Sequence, residues 1–351
     1  MPYRNIAAFA ILALLVFLSA CKKAKQPIQA PVPKEPAVVQ STQATVTPIP
    51  AETGVLLKMK WPAGSRYICR MDLEQHSTNS ISQAPKPHPE DLTFGVTYSL
   101  SVLSEGPDCG REIEVGILAT EMEISVSGKV ALHFDSTEAA KDPAQERIAA
   151  PFRKIIGSPL RLLIDADGKV DKVIGHKEWV ERVSGAQPGR LEQLLVQQFN
   201  EGFFRQLADY GRGLPAKPVH LGESWPYKIE IPAGGLGKIT LDSTISLKRW
   251  EDLPPRHLAV LESRGTLQSA PLEEENSSGM AIDQGTVTGT SWFDPEQGTL
   301  VESAVTQSMH IKGETPASAT EHTPPVQFTS DIGQNVTVKL VEIGTSPKPV
   351  P

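Results

Sequence analysis

Between Tyr67 and Ile343 the chain alternates apolar and polar residues in one short stretch after another, each closed by Gly, Pro or Asp-Gly punctuation. Side chains of a strand point alternately to opposite faces, so this period buries one face of a sheet and leaves the other wet. Candidate strands fall at 67–73, 92–103, 111–125, 129–135, 160–164, 169–174, 225–231, 238–250, 257–267, 285–293, 299–311 and 326–343. Most connections between them are short. That selects antiparallel pairing, since a parallel crossover takes a dozen residues or more. In Asp165-Ala166-Asp167-Gly168 the glycine accepts a positive φ, which makes a hairpin of the two strands around it. A calcium loop fails there on spacing, with glycine fourth and His176 twelfth. Asp294-Pro295-Glu296-Gln297-Gly298 is a second turn.

The period changes at 176–183 and again at 190–210, where Leu191, Leu194, Leu195, Phe199, Phe203 and Leu207 recur every three or four residues. This predicts an amphipathic helix that Gly211 and Gly213 end. Its rings either pack on a sheet or, with Phe199, Phe203 and Leu207, line a pocket for an apolar ligand. The fold class expected is α+β, mainly antiparallel β. Two β-rich halves, 55–175 and 215–343, are joined by the helical segment 176–214, and 344–351 is a tail. Gly64-Ser65-Arg66-Tyr67 echoes Gly222-Glu223-Ser224-Trp225, and Thr97-Tyr98-Ser99-Leu100 echoes Thr244-Ile245-Ser246-Leu247, a weak sign of duplication.

The first 54 residues follow another logic. Arg4 precedes an apolar run from Ile6 to Leu18, too short to span a bilayer, which reads as a signal peptide over 1–20. Leu18-Ser19-Ala20-Cys21 resembles the lipobox of bacterial lipoproteins, which implies cleavage before Cys21 and a diacylglyceryl group on its thiol. Several acyl chains on one residue give stable anchoring where a single chain is marginal. The alternative is an ordinary secretory signal with an incidental Cys21. Lys22, where relatives retained at the inner membrane carry Asp, implies an outer-membrane address facing the periplasm. From 22 to 54 there is no aromatic residue and six prolines, the composition of a linker that buries no core. Two further cysteines, Cys69 and Cys109, could pair in an oxidising envelope or stand as free thiols.

Across its 351 residues the chain has 34 Lys+Arg against 41 Asp+Glu, so it lacks the basic footprint of a nucleic-acid binder. Its eight histidines include no helical zinc pair and no finger spacing. Gly222-Glu223-Ser224 and Gly289-Thr290-Ser291 lack the second glycine of a nucleophile elbow. Gly234-Gly235-Leu236-Gly237 joins two β segments instead of opening a helix. Neither Glu121 and Glu123 nor the run 273–275 singles out a catalytic carboxylate couple.

Gly222-Glu223-Ser224-Trp225, the strand–Asp-Gly–strand unit at 160–174 and the run from Trp292 to Leu300 together resemble an uncharacterised family of exported, β-rich bacterial proteins, and more remotely the lipoprotein-carrier fold. The first resemblance implies no reaction and no cofactor. The second implies a curved sheet that holds acyl chains under a helical lid. The expectation is a non-enzymatic, lipid-anchored envelope protein that binds an apolar or lipid-like ligand or an envelope protein, without a cofactor or metal. The alternatives are a structural module without a ligand cavity and an envelope hydrolase with a dispersed site.

Overall fold

The computed structural model describes residues 54–82, 86–105, 110–140, 143–185, 189, 192, 195–196, 199–232, 238–270, 280–315 and 326–346. The signal peptide, Cys21, most of the linker, Cys109, Gly234-Gly235-Leu236-Gly237 and the acidic run 273–275 lie outside them.

Twelve strands form one sheet. In chain order these are β1 (Ser65–Ile81), β2 (His88–Glu105), β3 (Arg111–Val126), β4 (Lys129–Asp135), β5 (Leu160–Ile164), β6 (Val170–Ile174), β7 (Ser224–Pro232), β8 (Lys238–Leu253), β9 (Arg256–Ala270), β10 (Ala281–Asp294), β11 (Thr299–Thr315) and β12 (Val326–Thr345). Their spatial order is β6-β5-β3-β2-β1-β12-β11-β10-β9-β8-β7, with β4 paired to β3. All the pairs are antiparallel. The two β-rich halves therefore share a seam, β1 against β12, with Met71 opposite Val338 and Leu73 opposite Val336. Gly64 and Gly222, the glycines of the repeated motif, hold positive φ values of 81° and 85° ahead of β1 and β7.

Alternation sets the two faces. In β1, Tyr67, Cys69, Met71 and Leu73 are buried while Asp72, Glu74 and His76 are exposed. Buried residues of both flanks, among them Ile164 and Val173 at one side and Ile239 and Leu241 at the other, belong to one core cluster. A sheet this wide curls, and Asp209, which accepts the Val170 N–H of β6 and whose charge acts on the Tyr227 hydroxyl of β7, shows the two ends brought together around the apolar face.

Topology dictates what fills that concave face. β6 and β7 are the two ends of this path, so the chain between them has to cross from one side of the sheet to the other. It does so with α2 (His176–Ser184) and α3 (Glu201–Gln206). The single helix expected over 190–210 does not form: Leu195 and Val196 are helical, Phe199 and Asn200 bend, and α3 starts afresh. Asn200 takes extended backbone and its Oδ1 accepts the N–H of Phe203 at 3.0 Å, an N-cap that fixes the restart. A further helix, α1 (Pro143–Ile155), was not anticipated. Proline opens it, and Phe152 stacks on Phe134 of β4 with ring centroids 4.4 Å apart.

A strap over residues 54–61 also runs along one end of the sheet, past the start of β3, the β5–β6 turn, the residues ahead of β7 and the β10–β11 turn. Val55, Leu57, Met59 and Trp61 point inward and are buried, whereas Leu56, Lys58 and Lys60 face out. Val55 exchanges both backbone bonds with Val219, and Lys60 N–H donates to Gly298 O. Lys60 Nζ donates to the carbonyls of Pro295 and Glu296, and Arg111 Nε donates to Trp61 O at 2.9 Å. The strap passes close over glycine: a Cβ on Gly298 (φ +63°) would stand 2.7 Å from Lys58 O and 2.4 Å from Lys60 Cγ. Gly298→Ala is therefore expected to destabilise by about 1–3 kcal/mol. Hydrogen exchange should locate the loss at residues 54–61, and unchanged protection there would refute the close approach.

The sequence-read turns form as expected. Asp165 Oδ1 accepts from Asp167 and Lys169 N–H, and Gly168 has φ +83°. Asp294 Oδ1 accepts from Glu296 and Gln297 N–H.

Candidate functional site

The side chains with the clearest common setting lie between the crossing segment and the concave face. Phe199, Phe203 and Leu207 come together there, all buried. Phe199 meets Phe203 edge to face with centroids 4.8 Å apart, and Phe203 meets Phe204 at 5.5 Å. Trp179 of α2 lies edge-on to Phe204 at 5.1 Å and donates its indole N–H to Ser158 O at 2.9 Å. Phe94 of β2 reaches Phe199 at 6.4 Å, linking lid and sheet. Of the three residues expected to line a pocket, Phe199 and Phe203 are thus packed into a ring cluster, and Leu207 is buried in the same core.

What ties this lid down is polar. Arg205 Nη1 donates to the carbonyls of Val170 and Asp171, and Asp209 Oδ1 accepts the N–H of Val170 at 3.2 Å. Arg212 Nε stands 2.5 Å from Asp209 Oδ2. Trp225 of β7 donates to Gly213 O at 2.9 Å. The lid is thereby latched to both edges of the sheet by single side chains. Burial pushes the Asp209 carboxyl up to about 6, against the opposing pull of Arg212 and the Val170 amide.

The sign follows from linkage. A carboxyl raised in the folded state holds its proton over a window where the unfolded chain has lost it, so it stabilises in acid. That stabilisation is lost as pH rises from about 4 to about 6. Roughly two units correspond to about 3 kcal/mol. The difference in stability between the native chain and Asp209→Asn is expected to move in favour of the native chain as pH falls from 7 to 4. A pH-independent difference in urea titrations would contradict the burial of this carboxyl.

Beneath the lid, the hydroxyls of Tyr98 and Tyr210 meet in a short hydrogen bond beside the Cys69 thiol. Burial pushes that thiol up to about 12, which makes it inert at neutral pH. Cys69 is a free, buried thiol, and its expected partner Cys109 lies outside the described residues.

On the outer face, a depression of about 340 Å³ is bordered by His76, Ser308, His310, Asp331 and Gly333. His76 Nδ1 pairs with Asp91 at 2.5 Å and His310 Nδ1 with Asp331 at 2.7 Å. Among the described residues no group of three His, Cys, Asp or Glu side chains is placed to hold a metal ion. Ser291, one of the serines weighed as a nucleophile, is buried in β10 with its Oγ 3.0 Å from Ser303 Oγ, and Ser224 begins β7. Glu121 pairs with Arg70 and Glu123 with His133, so these two carboxylates serve the sheet surface.

No curated protein matches the chain. Among solved structures it is similar to lipovitellin in a study of lipid–protein interactions, with a TM-score of 0.45, 9% identity and coverage of 83% of this chain and 26% of that one. The chain thus spans about a quarter of the lipovitellin chain. DynF of the dynemicin biosynthesis pathway of Micromonospora chersina gives a TM-score of 0.17 at 7% identity, covering 86% and 94% of the two chains. A putative outer membrane lipoprotein-sorting protein domain from Vibrio parahaemolyticus gives 0.13 at 8%, covering 81% and 86%. At such scores none of these likenesses carries an argument. A family model matches residues 111–300, from the first residue of β3 into the start of β11 and more than half of the chain. The chain belongs to DUF6263, a family of unknown function.

Proposed function

We propose that this is a non-enzymatic binding protein of the bacterial envelope, taking an apolar or lipid-like ligand between its helical lid and the concave face of its sheet. The observation that carries the reading is the cover itself. An apolar sheet face is closed by a lid of rings, Trp179, Phe199, Phe203 and Phe204, held to the sheet edges by side-chain bonds from Arg205, Asp209 and Trp225. Such a cover separates from the sheet without breaking a strand ladder. Phe199, Phe203 and Leu207 are then the lid residues that meet the ligand. Cys21 carries the lipid that anchors the mature chain, 1–20 is the removed signal, and 21–54 is the spacer that lets the body stand off an outer-membrane surface. No described helix is long and apolar enough to cross a membrane.

A purely structural role through strand edges is less well supported. The edge strand β6 has five residues, and Pro226 removes an N–H from the other edge, β7. Short edges and prolines are what proteins use to prevent edge-to-edge pairing.

The test is native mass spectrometry on the chain from Lys22 onward, purified from cells, with solvent extraction of what it carries. A stoichiometric lipid-like adduct is expected. Protein at its bare mass, and still bare after incubation with extracted envelope lipid, would reject a lipid ligand.

A further inference from the structure

The strap marks where an acyl chain would sit, on the reading just given. Residues 55–61 span six strand steps, roughly 20 Å, the length of an extended acyl chain of about sixteen carbons. The segment has the side-chain period of a strand, yet residues 56–62 belong to no strand or helix. Its backbone anchors lie at its ends, Val55 with Val219 and Lys60 with Gly298. Between them Leu57 and Met59 are held by side-chain burial, at 1% and 4% exposure. The floor is cut away for them: a Cβ on Gly168 would stand 2.9 Å from Met59 Cβ. A linear slot that accepts an apolar chain along its whole length, and holds the backbone at its two ends, at Val55 and at Lys60 and Trp61, fits a hydrocarbon as well as it fits a peptide.

We infer that this slot is the seat of one acyl chain, and that the strap fills it until the ligand displaces Val55, Leu57, Met59 and Trp61. The displaced piece is an N-terminal segment, so it leaves without opening the sheet. Ligand affinity is then the intrinsic affinity reduced by the fraction of molecules whose strap is out. Holding the strap in weakens binding, and loosening it tightens binding.

The strap can be locked by Val55→Cys with Val219→Cys in the Cys109→Ser chain from Lys22 onward. These residues exchange both backbone bonds at 2.9 Å, which sets antiparallel Cα atoms about 5.5 Å apart and within reach of a disulfide. Titration with cis-parinaric acid, a fluorescent eighteen-carbon acyl chain, is expected to show at least tenfold weaker binding by the oxidised form than by the reduced form. Leu57→Ser with Met59→Ser, in a chain without the added cysteines, should tighten binding at least threefold. This pair decides alone if the locked protein does not fold. Equal affinity of oxidised and reduced forms, with the lock verified by mass, overturns the strap inference and leaves lipid binding standing. So does an unchanged affinity of the serine pair. Absence of binding by every form overturns both.

Discussion

Trp179→Ala is expected to lower stability by about 3–5 kcal/mol, the range for removing a large buried aromatic and leaving a cavity. Trp179 is fully buried, stacks on His176 with centroids 5.9 Å apart, and meets Phe204 and Phe199 at 5.1 and 6.4 Å. Its loss also strips the indole N–H from Ser158 O, on the segment between α1 and β5. The residue thus joins the lid to two neighbouring parts of the structure at once. Urea denaturation should show a lower midpoint with an unchanged slope. Trp179→Phe keeps ring packing but not the hydrogen bond and should fall between. A cost under about 1 kcal/mol would mean that the lid is not packed as described.

The second large effect concerns the seam. Val338 lies in β12 between Met71 of β1 and Ser303 of β11, so β12 has a ladder on both sides. Proline there removes a donor from one ladder and forces its ring against a neighbouring strand, at a cost of about 3 kcal/mol or more. Because both halves meet at this strand, Val338→Pro should destabilise them together. Denaturation followed through fluorescence and through far-ultraviolet circular dichroism should stay one coincident transition. If residues 65–174 kept their structure while 224–345 unfolded, the halves would be independent domains and the shared seam would be incidental.

The strands were legible because each is a local pattern. The ranges 160–164 and 326–343, for example, needed no more than alternation and the flanking turn residues. The order of the strands in space was not legible. Pairing of β1 with β12 brings together residues such as Met71 and Val338, and nothing in either stretch names the other. The passage of α2 and α3 over the apolar face follows only once β6 and β7 are known to end the path of the sheet. The strap was hidden for a different reason. Val55, Leu57, Met59 and Trp61 have a strand's alternation, but their backbone makes no ladder, and period alone cannot tell the two apart. α1 escaped notice because Pro151 lies inside it.

At the candidate site, helical spacing grouped Phe199, Phe203 and Leu207, and all three are buried in the core although one helix does not carry them. It missed the break at Asn200, although Asn followed by an acidic first-turn residue, Glu201, is the pattern of a capped start. Trp179, Phe94 and the pair Arg205 and Asp209 converge on the same place from three separate stretches, and that convergence is tertiary. So is the meeting of Cys69, Tyr98 and Tyr210.

The most direct test of the central claim is quenching of tryptophan fluorescence by 9,10-dibromostearate, whose bromines quench at contact. Trp61 and Trp179 belong to the core cluster, whereas Trp292 lies outside it and donates its indole N–H to Glu251. Ligand in the concave interior predicts saturable quenching that falls in Trp61→Phe and in Trp179→Phe and is unaffected in Trp292→Phe. Quenching that disappears with Trp292, or no saturable quenching at all, would contradict it.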